Sequence, residues 1–594
     1  MAFVTGTSAS ELIQVAGVNW QSQFPSPPLV KVSLATNSND TILASDGNDV
    51  VISGDGSDSV DGGGGNDFIG PRWLLLGYGG AEVVDTDGNL GIDFDTVGGD
   101  VLLGGAGNDS IAAGYDAVVD GGAGSDLVYL DLDVMWVRAG NFINNAQNDL
   151  GIVANLGAAD AGTVVLAVGG LGNLTISVTD VEAFHVRFGW GDDTITGGAF
   201  SDSLWGNWGN DTLHGAGGND LLNGDSGSDL LMGGDGDDVL VHSNDYGVTY
   251  GWSVEDHASD HLQGGSGNDT LSGALGDTLD GGTGTDYALV YLATSSLGRV
   301  ADLRKITAPA GLDLGEGTVL RGIEYVAQIE FGFAAGNDRI TTSAQRSGVV
   351  NLGGGNDTLT FFGRPDANTY LDGGAGTDTL ILSGDFSMRT DLGWPFADGF
   401  EKIILRAGND YWLRNLVWDD IRVRISGEAL GAADTLRVDG APRTNGFTAI
   451  GGAGADSLTG GDGRDTLTGG AGDDLIQGGR RGDTVTGGDG ADRFRFGASN
   501  EGGDAIADFV TGVDVIEVVR GGFLGGLQVG MDLLAAGRFV EGAVANAARG
   551  QFLYDATTGT LRWDIDGTGT RAAVILAELG AGTALGAADI VVIA

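Results

Sequence analysis

The residues that could do chemistry in this chain are aspartates, and they recur at a fixed spacing. Asp40, Asp49, Asp58 and Asp67 lie nine apart; so do Asp193, Asp202, Asp211, Asp220, Asp229 and Asp238, and again Asp456, Asp465, Asp474, Asp483 and Asp492. Two positions after every one of these sits an apolar residue: Ile42, Val51, Val60 and Ile69, then Ile195, Leu204, Leu213, Leu222, Leu231 and Leu240, then Leu458, Leu467, Ile476, Val485 and Phe494. Two positions before, Gly is present except at Ser38, Phe200 and Arg481. The unit is G-G-x-G-x-D-x-U-x, clean in GGAGADSLT from 451 and GGDGRDTLT from 460. An array of one acid suits cation binding: clustered like charges need a counter-ion between them, and oxygen donors alone select a hard one such as calcium.

The elements that must position these carboxylates follow from the same unit. Its glycine-rich front half turns the chain through positive φ and lets backbone carbonyls converge. Its last three residues, such as Ser457-Leu458-Thr459, place one apolar side chain between polar neighbours, as a very short strand with one inward face does. Such a strand cannot stand alone, so units must stack, burying a ladder of Leu, Ile and Val and aligning the turns that carry Asp.

GGAGADSLTGGDGRDTLTGGAGDDLIQ resembles the repeat of the RTX, or hemolysin-type, calcium-binding proteins. The resemblance implies an all-β parallel β-roll, a β-solenoid with two nonapeptides per coil, in which multiple calcium ions (Ca2+) are held between stacked turns by the Asp carboxylates and backbone carbonyls. Shared between turns, the ions would number about four in the longest run, about three in the C-terminal run and about two in the first. Further units extend the set of metal ligands. Asp100, Asp109 and Asp126 lie in one stretch, and Asp260, Asp269 and Asp286 in another. There Asp277 comes one residue early, which predicts a bulge or an interrupted site. Isolated units carry Asp338, Asp357, Asp378 and Asp410.

The organisation reads as an N-terminal segment 1–34, a repeat block 35–70, repeats with a β-rich insert 71–187, a repeat block 188–289, β-rich inserts with isolated units 290–450, a repeat block 451–495 and a C-terminal β cap 496–594. A longer repeat organises the middle: units at 120, 280 and 372 leave the nonapeptide pattern and return through phrases in which Glu182, Glu324 and Glu401 occupy equivalent places. The inserts are expected to widen the solenoid or to add small β-layers.

Composition excludes several classes. The 594 residues include 111 Gly, 69 Asp, 13 Glu, three lysines (Lys31, Lys305 and Lys402) and no Cys, for a formal net charge of −53. That charge repels phosphate backbones and anionic lipid, so neither nucleic acid nor an anionic membrane is an expected partner. Without cysteine there is no disulfide or thiolate chemistry. A hydrophobic fraction of 42% is too high for a wholly disordered acidic chain. No stretch has the roughly 18 apolar residues of a membrane span, and the N-terminal residues, with no basic residue before Lys31, do not read as a cleaved signal. The last hundred residues, ending Asp589-Ile-Val-Val-Ile-Ala, are similar to the C-terminal region of proteins exported by type I secretion, which implies the secretion machinery as a partner during export.

No catalytic constellation stands out. His257-Ala-Ser-Asp260-His261 has a zinc-like spacing that needs a helix, but Asp260 is in phase with Asp269, so a turn and strand are expected. Neither H-E-x-x-H nor G-x-S-x-G occurs, and Asp85-Thr-Asp87-Gly88 and Asp564-Ile-Asp566-Gly567 are only fragments of a calcium loop. Trp190, Trp205 and Trp208 fall on or near turns, where they could stack on sugars or pack beneath an insert. The leading expectation is a secreted, non-catalytic protein at the surface or in the matrix of a Gram-negative bacterium, a surface layer, scaffold or adhesin partnered by itself or by cell-surface polysaccharide. A polysaccharide lyase or epimerase on the widened solenoid, using carboxylates such as Asp131, Asp133, Glu324 and Glu330, is the alternative, and a passive calcium buffer is a third reading.

Overall fold

The computed structural model describes residues 3–5, 12–15, 32–35, 41–44, 47–51, 59–69, 101–113, 117–131, 152–156, 164–168, 172–187, 191–243, 258–292, 299–308, 310–330, 336–366, 368–391, 396–414, 422–441 and 443–594. Among them there is no α-helix, and almost every strand pairing is parallel, so the all-β parallel roll expected from the nonapeptides is the fold. The chain divides into two compact units, Met1–Tyr291 with Ile306–Tyr325, and Leu292–Lys305 with Val326–Ala594.

In the first unit successive nonapeptides alternate between two sheets. Thr194–Thr196, Thr212–Gly217, Leu230–Asp235, His261–Ser266 and Thr278–Thr283 are neighbours in one; Ser203–Trp208, Leu221–Ser226, Val239–Val241, Thr270–Gly273 and Tyr287–Tyr291 are neighbours in the other. The register is direct: Leu213 pairs with Leu231, and Leu204 with Leu222, eighteen residues on. A coil is therefore two nonapeptides, and each in-phase apolar residue lands on its equivalent. Ile195, Leu204, Leu213, Leu222, Leu231 and Leu240 are all fully buried, as are Ile42, Val51, Val60 and Ile69. Pairing also continues past the expected three-residue strand into the turn, where Ala216 lies beside Gly234 and Gly217 beside Asp235.

The insert after residue 131 enters a sheet as extra rungs. Gly172–Thr179 pairs in parallel with Val118–Ala123, then Val164–Val168 and Ile152–Asn155 follow antiparallel, and the last pairs in parallel with Thr194–Thr196. The opposite sheet needs no such insertion, because Leu127–Asp131 pairs directly with Ala183–Arg187. At the far end of the first sheet, Thr318–Arg321 and Leu312–Gly315 close the unit as an antiparallel pair.

The second unit repeats this construction with longer coils. Arg339–Ser343, Thr358–Phe362, Thr379–Ser383 and Lys402–Leu405 stack in parallel, so the units of Asp338, Asp357 and Asp378, which look isolated in the sequence, lie on consecutive rungs. Leu458, Leu467, Ile476, Val485 and Phe494 fill the core of the C-terminal run. Beyond it, Val515–Val519 and Ile590–Ile593 add the last parallel rungs on one side, and Val574–Glu578, Thr560–Asp564 and Gln551–Asp555 an antiparallel sheet on the other. Buried Phe523, Phe552 and Trp563 pack together beneath it, Phe552 and Trp563 with ring centroids 4.6 Å apart.

Because each ladder side chain is held by its equivalents above and below, Leu222→Ala leaves a void that neighbours cannot fill and should destabilise the calcium-loaded protein by about 2–5 kcal/mol. Val153→Ala, at a position 52% exposed, should cost under about 1 kcal/mol. Thermal unfolding of the two variants measures the difference, and equal costs would contradict the ladder core.

Candidate metal sites

The turn is organised by its position-six Asp. The backbone N–H of Asp193 donates to Oδ1 of Asp211 one coil on, Asp211 to Asp229, Asp229 to Asp260 and Asp260 to Asp277, at 2.7–2.9 Å. A second ladder runs from the N–H of Phe184 through Asp202, Asp220, Asp238, Asp269 and Asp286. A third joins Asp49, Asp67, Asp109 and Asp126. In the second unit Asp338, Asp357 and Asp378 form one ladder, Asp456, Asp474, Asp492 and Asp514 another, and Asp465, Asp483 and Asp504 a third.

One oxygen of each carboxylate is used this way. The other, Oδ2, is buried and accepts no hydrogen bond in Asp67, Asp109, Asp126, Asp211, Asp220, Asp238, Asp269, Asp286, Asp357, Asp378, Asp474, Asp483 and Asp492. A buried carboxylate oxygen without a donor is costly, and a repeated row of them requires a positive charge. The glycines around it leave room for one. A Cβ on Gly215, the first residue of its unit, would overlap both Oδ2 of Asp220 and the carbonyl oxygen of Gly233 on the next coil, so both oxygens face one glycine cradle. At the fourth position Gly227, with φ +134°, lies so close to the Gly209 carbonyl that no side chain fits. Among the described residues no three His, Cys, Asp or Glu side chains converge as a metal cluster, so carboxylate oxygens here have backbone carbonyls as their fellow donors. The set is all oxygen and anionic, and it fits calcium.

Three turns at the starts of ladders close on themselves instead. Oδ2 of Asp202, Asp456 and Asp465 accepts the N–H of Gly198, Gly452 and Gly461 in its own turn. The early Asp277 keeps its place in the ladder, and its Oδ2 accepts the N–H of Ala274, so the missing residue shortens the turn without breaking the register. Asp410 stands apart: it is exposed, and its carboxylate accepts the N–H and hydroxyl of Thr435. Asp40, Asp58 and Asp100 lie outside the described residues, as do His257, Asp85, Asp87, Asp133 and Trp190. Asp260 sits in a turn and His261 opens a strand, as the nine-residue phase predicts. Oδ1 of Asp564 accepts the N–H of Gly567, and Oδ2 of Asp566 those of Thr570 and Arg571, which makes that loop a hydrogen-bonded turn. Trp205 is half-buried with its ring 4.3 Å from that of His185, whereas Trp208 is 46% exposed.

Asp504 and Asp514 were not expected to join the ladders, because they lack the Gly-Gly pair that opens a unit, although Gly502 and Gly512 stand two positions before them. They do carry the Asp-x-apolar phase, with Ile506 and Ile516 buried two residues on, and that was the signal available.

Burial raises the proton affinity of these carboxylates. Desolvation, reinforced by neighbouring Asp side chains, pushes Asp211 and Asp504 up to about 8 and Asp220 and Asp474 up to about 7. The calcium-free folded chain then binds more protons than the unfolded one between their ordinary range and these values, so its stability falls as pH rises through that window. In chelator the protein should therefore gain β-structure by circular dichroism when brought from pH 7 to about pH 4, where unperturbed carboxyls titrate, and the calcium needed for folding should fall over the same window, because protons stabilise the same folded state. An acid-insensitive calcium midpoint would contradict this. Independently, Gly227→Ala should block stacking and sharply lower the melting temperature, whereas Gly363→Ala, also at positive φ but with open space around it, should cost only about 1–2 kcal/mol.

The comparison with known families agrees with this geometry. No curated protein matches the chain. The RTX calcium-binding nonapeptide repeat matches residues 34–69, 94–128, 189–222, 214–245, 258–288, 448–476 and 468–500, the stretches whose turns carry most of the Asp ladders. With the repeat found along the sequence and the parallel roll built from it, the chain carries RTX calcium-binding nonapeptide repeats at intervals from residue 34 to residue 500.

Proposed function

We propose that this is a secreted protein whose folding is driven by extracellular calcium and which acts, without catalysis, as a structural element of the bacterial surface or matrix: a surface layer, scaffold or adhesin. The observation that carries the reading is the row of buried, unpartnered Oδ2 atoms repeated coil after coil. Bound calcium supplies the positive charge that those oxygens lack. Where calcium is scarce, as in a cytosol, the excess of Asp over basic side chains opposes stacking and keeps the chain in a form that can be exported. At calcium levels of about 10⁻⁴ to 10⁻³ M, the affinity range of extracellular modules, binding and folding become one linked event.

Export through a type I system is supported by the acidic, glycine-rich repeats and the apolar C-terminal end. Ile590–Ile593 forms the last rung on Val515–Val519 in the folded state. Self-association is supported by charge: with calcium loaded, much of the repulsion between copies is removed. No helix among the described residues is long and apolar enough to cross a membrane.

Circular dichroism in chelator and then in millimolar calcium should pass from coil to β-structure, and a spectrum already folded in chelator at neutral pH would overturn calcium-driven folding. Electron microscopy of the loaded protein should show sheets or filaments. Incubation with alginate or pectin should yield no unsaturated or epimerised sugars; turnover without assembly would replace the structural reading with the enzymatic one.

A further inference from the structure

Three glutamates stand where the Asp ladders meet the inserts. The N–H of Asp126 donates to Oε2 of Glu182 at 2.8 Å, that of Asp286 to Oε2 of Glu324 at 2.9 Å, and that of Asp378 to Oε2 of Glu401 at 2.6 Å. In a regular coil the same N–H donates to the next position-six Asp. The residue after each Glu confirms the equivalence: Ala183, Tyr325 and Lys402 donate their N–H to the carbonyls of Asp126, Asp286 and Asp378, as Thr212 does to Asp193 within the regular run.

What precedes each Glu is shorter than the regular turn. The triplets are Asp180-Val181-Glu182, Gly322-Ile323-Glu324 and Gly399-Phe400-Glu401, each beginning at positive φ and each with a buried apolar middle residue. The carbonyls of Asp180, Gly322 and Gly399 lie against Gly121, Gly281 and Gly373, the place a regular coil gives to the carbonyl of its own first glycine. So a triplet replaces the hexapeptide G-G-x-G-x-D, and the extra methylene of Glu compensates for the turn residues left out.

The oxygens facing these triplets are in the same state as those inside the runs. Asp126, Asp286 and Asp378 are at most 1% exposed, and Oδ2 of each accepts no hydrogen bond. A second carboxylate beside a buried carboxylate oxygen is repulsive without a cation.

We propose that Glu182, Glu324 and Glu401 are metal ligands that take over from the position-six Asp, so that Asp126 with Glu182, Asp286 with Glu324 and Asp378 with Glu401 each hold a calcium ion at the end of a ladder. This rests on the calcium reading of the regular turns. The shortened turn presents fewer backbone carbonyls than the hexapeptide, so the Glu charge matters more here than any single Asp charge does within a run. The D/G-apolar-Glu triplet is then a device that lets a roll leave its nonapeptide pattern for an insert without losing the cation at the junction.

The test uses the full chain, with bound calcium counted by metal analysis after gel filtration and the calcium midpoint of folding followed by circular dichroism. E182Q, E324Q and E401Q keep an acceptor for the Asp N–H and remove the charge. Each single variant should lose one ion, the triple variant three, and the triple variant should need several-fold more calcium to fold while reaching the same β-content at saturation. An unchanged ion count and midpoint in the glutamine variants would overturn the proposal. So would a loss seen only in E182A, E324A and E401A, because it would make the glutamates backbone acceptors alone. The single variants answer the question if the triple variant does not fold. A wild-type chain that binds no calcium would defeat the calcium reading itself, and that arm separates the two failures.

Discussion

The structure depends on one hydrogen bond repeated along each roll: the N–H of a position-six Asp donating to a carboxylate oxygen of the next coil, as Asp211 does to Asp229. The bond sets the axial register of the turns and buries the carboxylate that accepts it. It also leaves the second oxygen facing a glycine cradle with no proton donor in reach. Sheet pairing and core packing are then consequences of the same stacking, since a turn in register brings its apolar residue onto the one above. Stability and charge cannot be separated in such a fold, because the groups that fix the register are the groups that repel.

This coupling explains why the chain prefers Asp to Glu so strongly. In a nonapeptide turn the carboxylate must reach only the adjacent coil, and the short side chain does so while remaining against the glycine of its own unit. Glu appears in the ladders where the turn itself is cut to three residues, at Glu182, Glu324 and Glu401, and there the longer side chain restores the reach. The same economy of backbone accounts for the self-closed turns. Where Gly198, Gly452 or Gly461 donates to the turn's own Asp, that carboxylate has both oxygens bonded, and the turn can begin a ladder.

The net charge of −53 takes on a different meaning in this setting. A large part of it lies on side chains that are buried in the fold, so it is not a property of the folded surface. For the unfolded chain it is a source of repulsion, and for the folded chain it is a demand for cations. The inserts do not carry that demand: Ile152–Asn155, Val164–Val168 and Gly172–Thr179 enlarge one sheet by ordinary strand pairing, without adding position-six Asp to the ladders.

Much of this was legible in the sequence, because nonapeptide periodicity is a local property. The phase of Asp and of the apolar residue two positions on identified the turns, the core ladder and the carboxylates that stack, and the buried Leu222 and Asp220 lie where that phase puts them. Periodicity could not show what happens where the pattern lapses. That Asp504 and Asp514 continue ladders without the Gly-Gly pair that opens a unit, that Asp410 turns out to solvent, and that Asp357 and Asp378 are stacked neighbours depends on which strands pair across gaps of variable length. The equivalence of the three glutamates was visible as a repeat, but their bond to the Asp N–H was not. The sequence by itself determined the repeating coil and its need for a cation, since both are set within nine residues. Only the tertiary structure decided how each ladder begins and ends, because those ends are made by residues brought together from as far apart as Asp126 and Glu182.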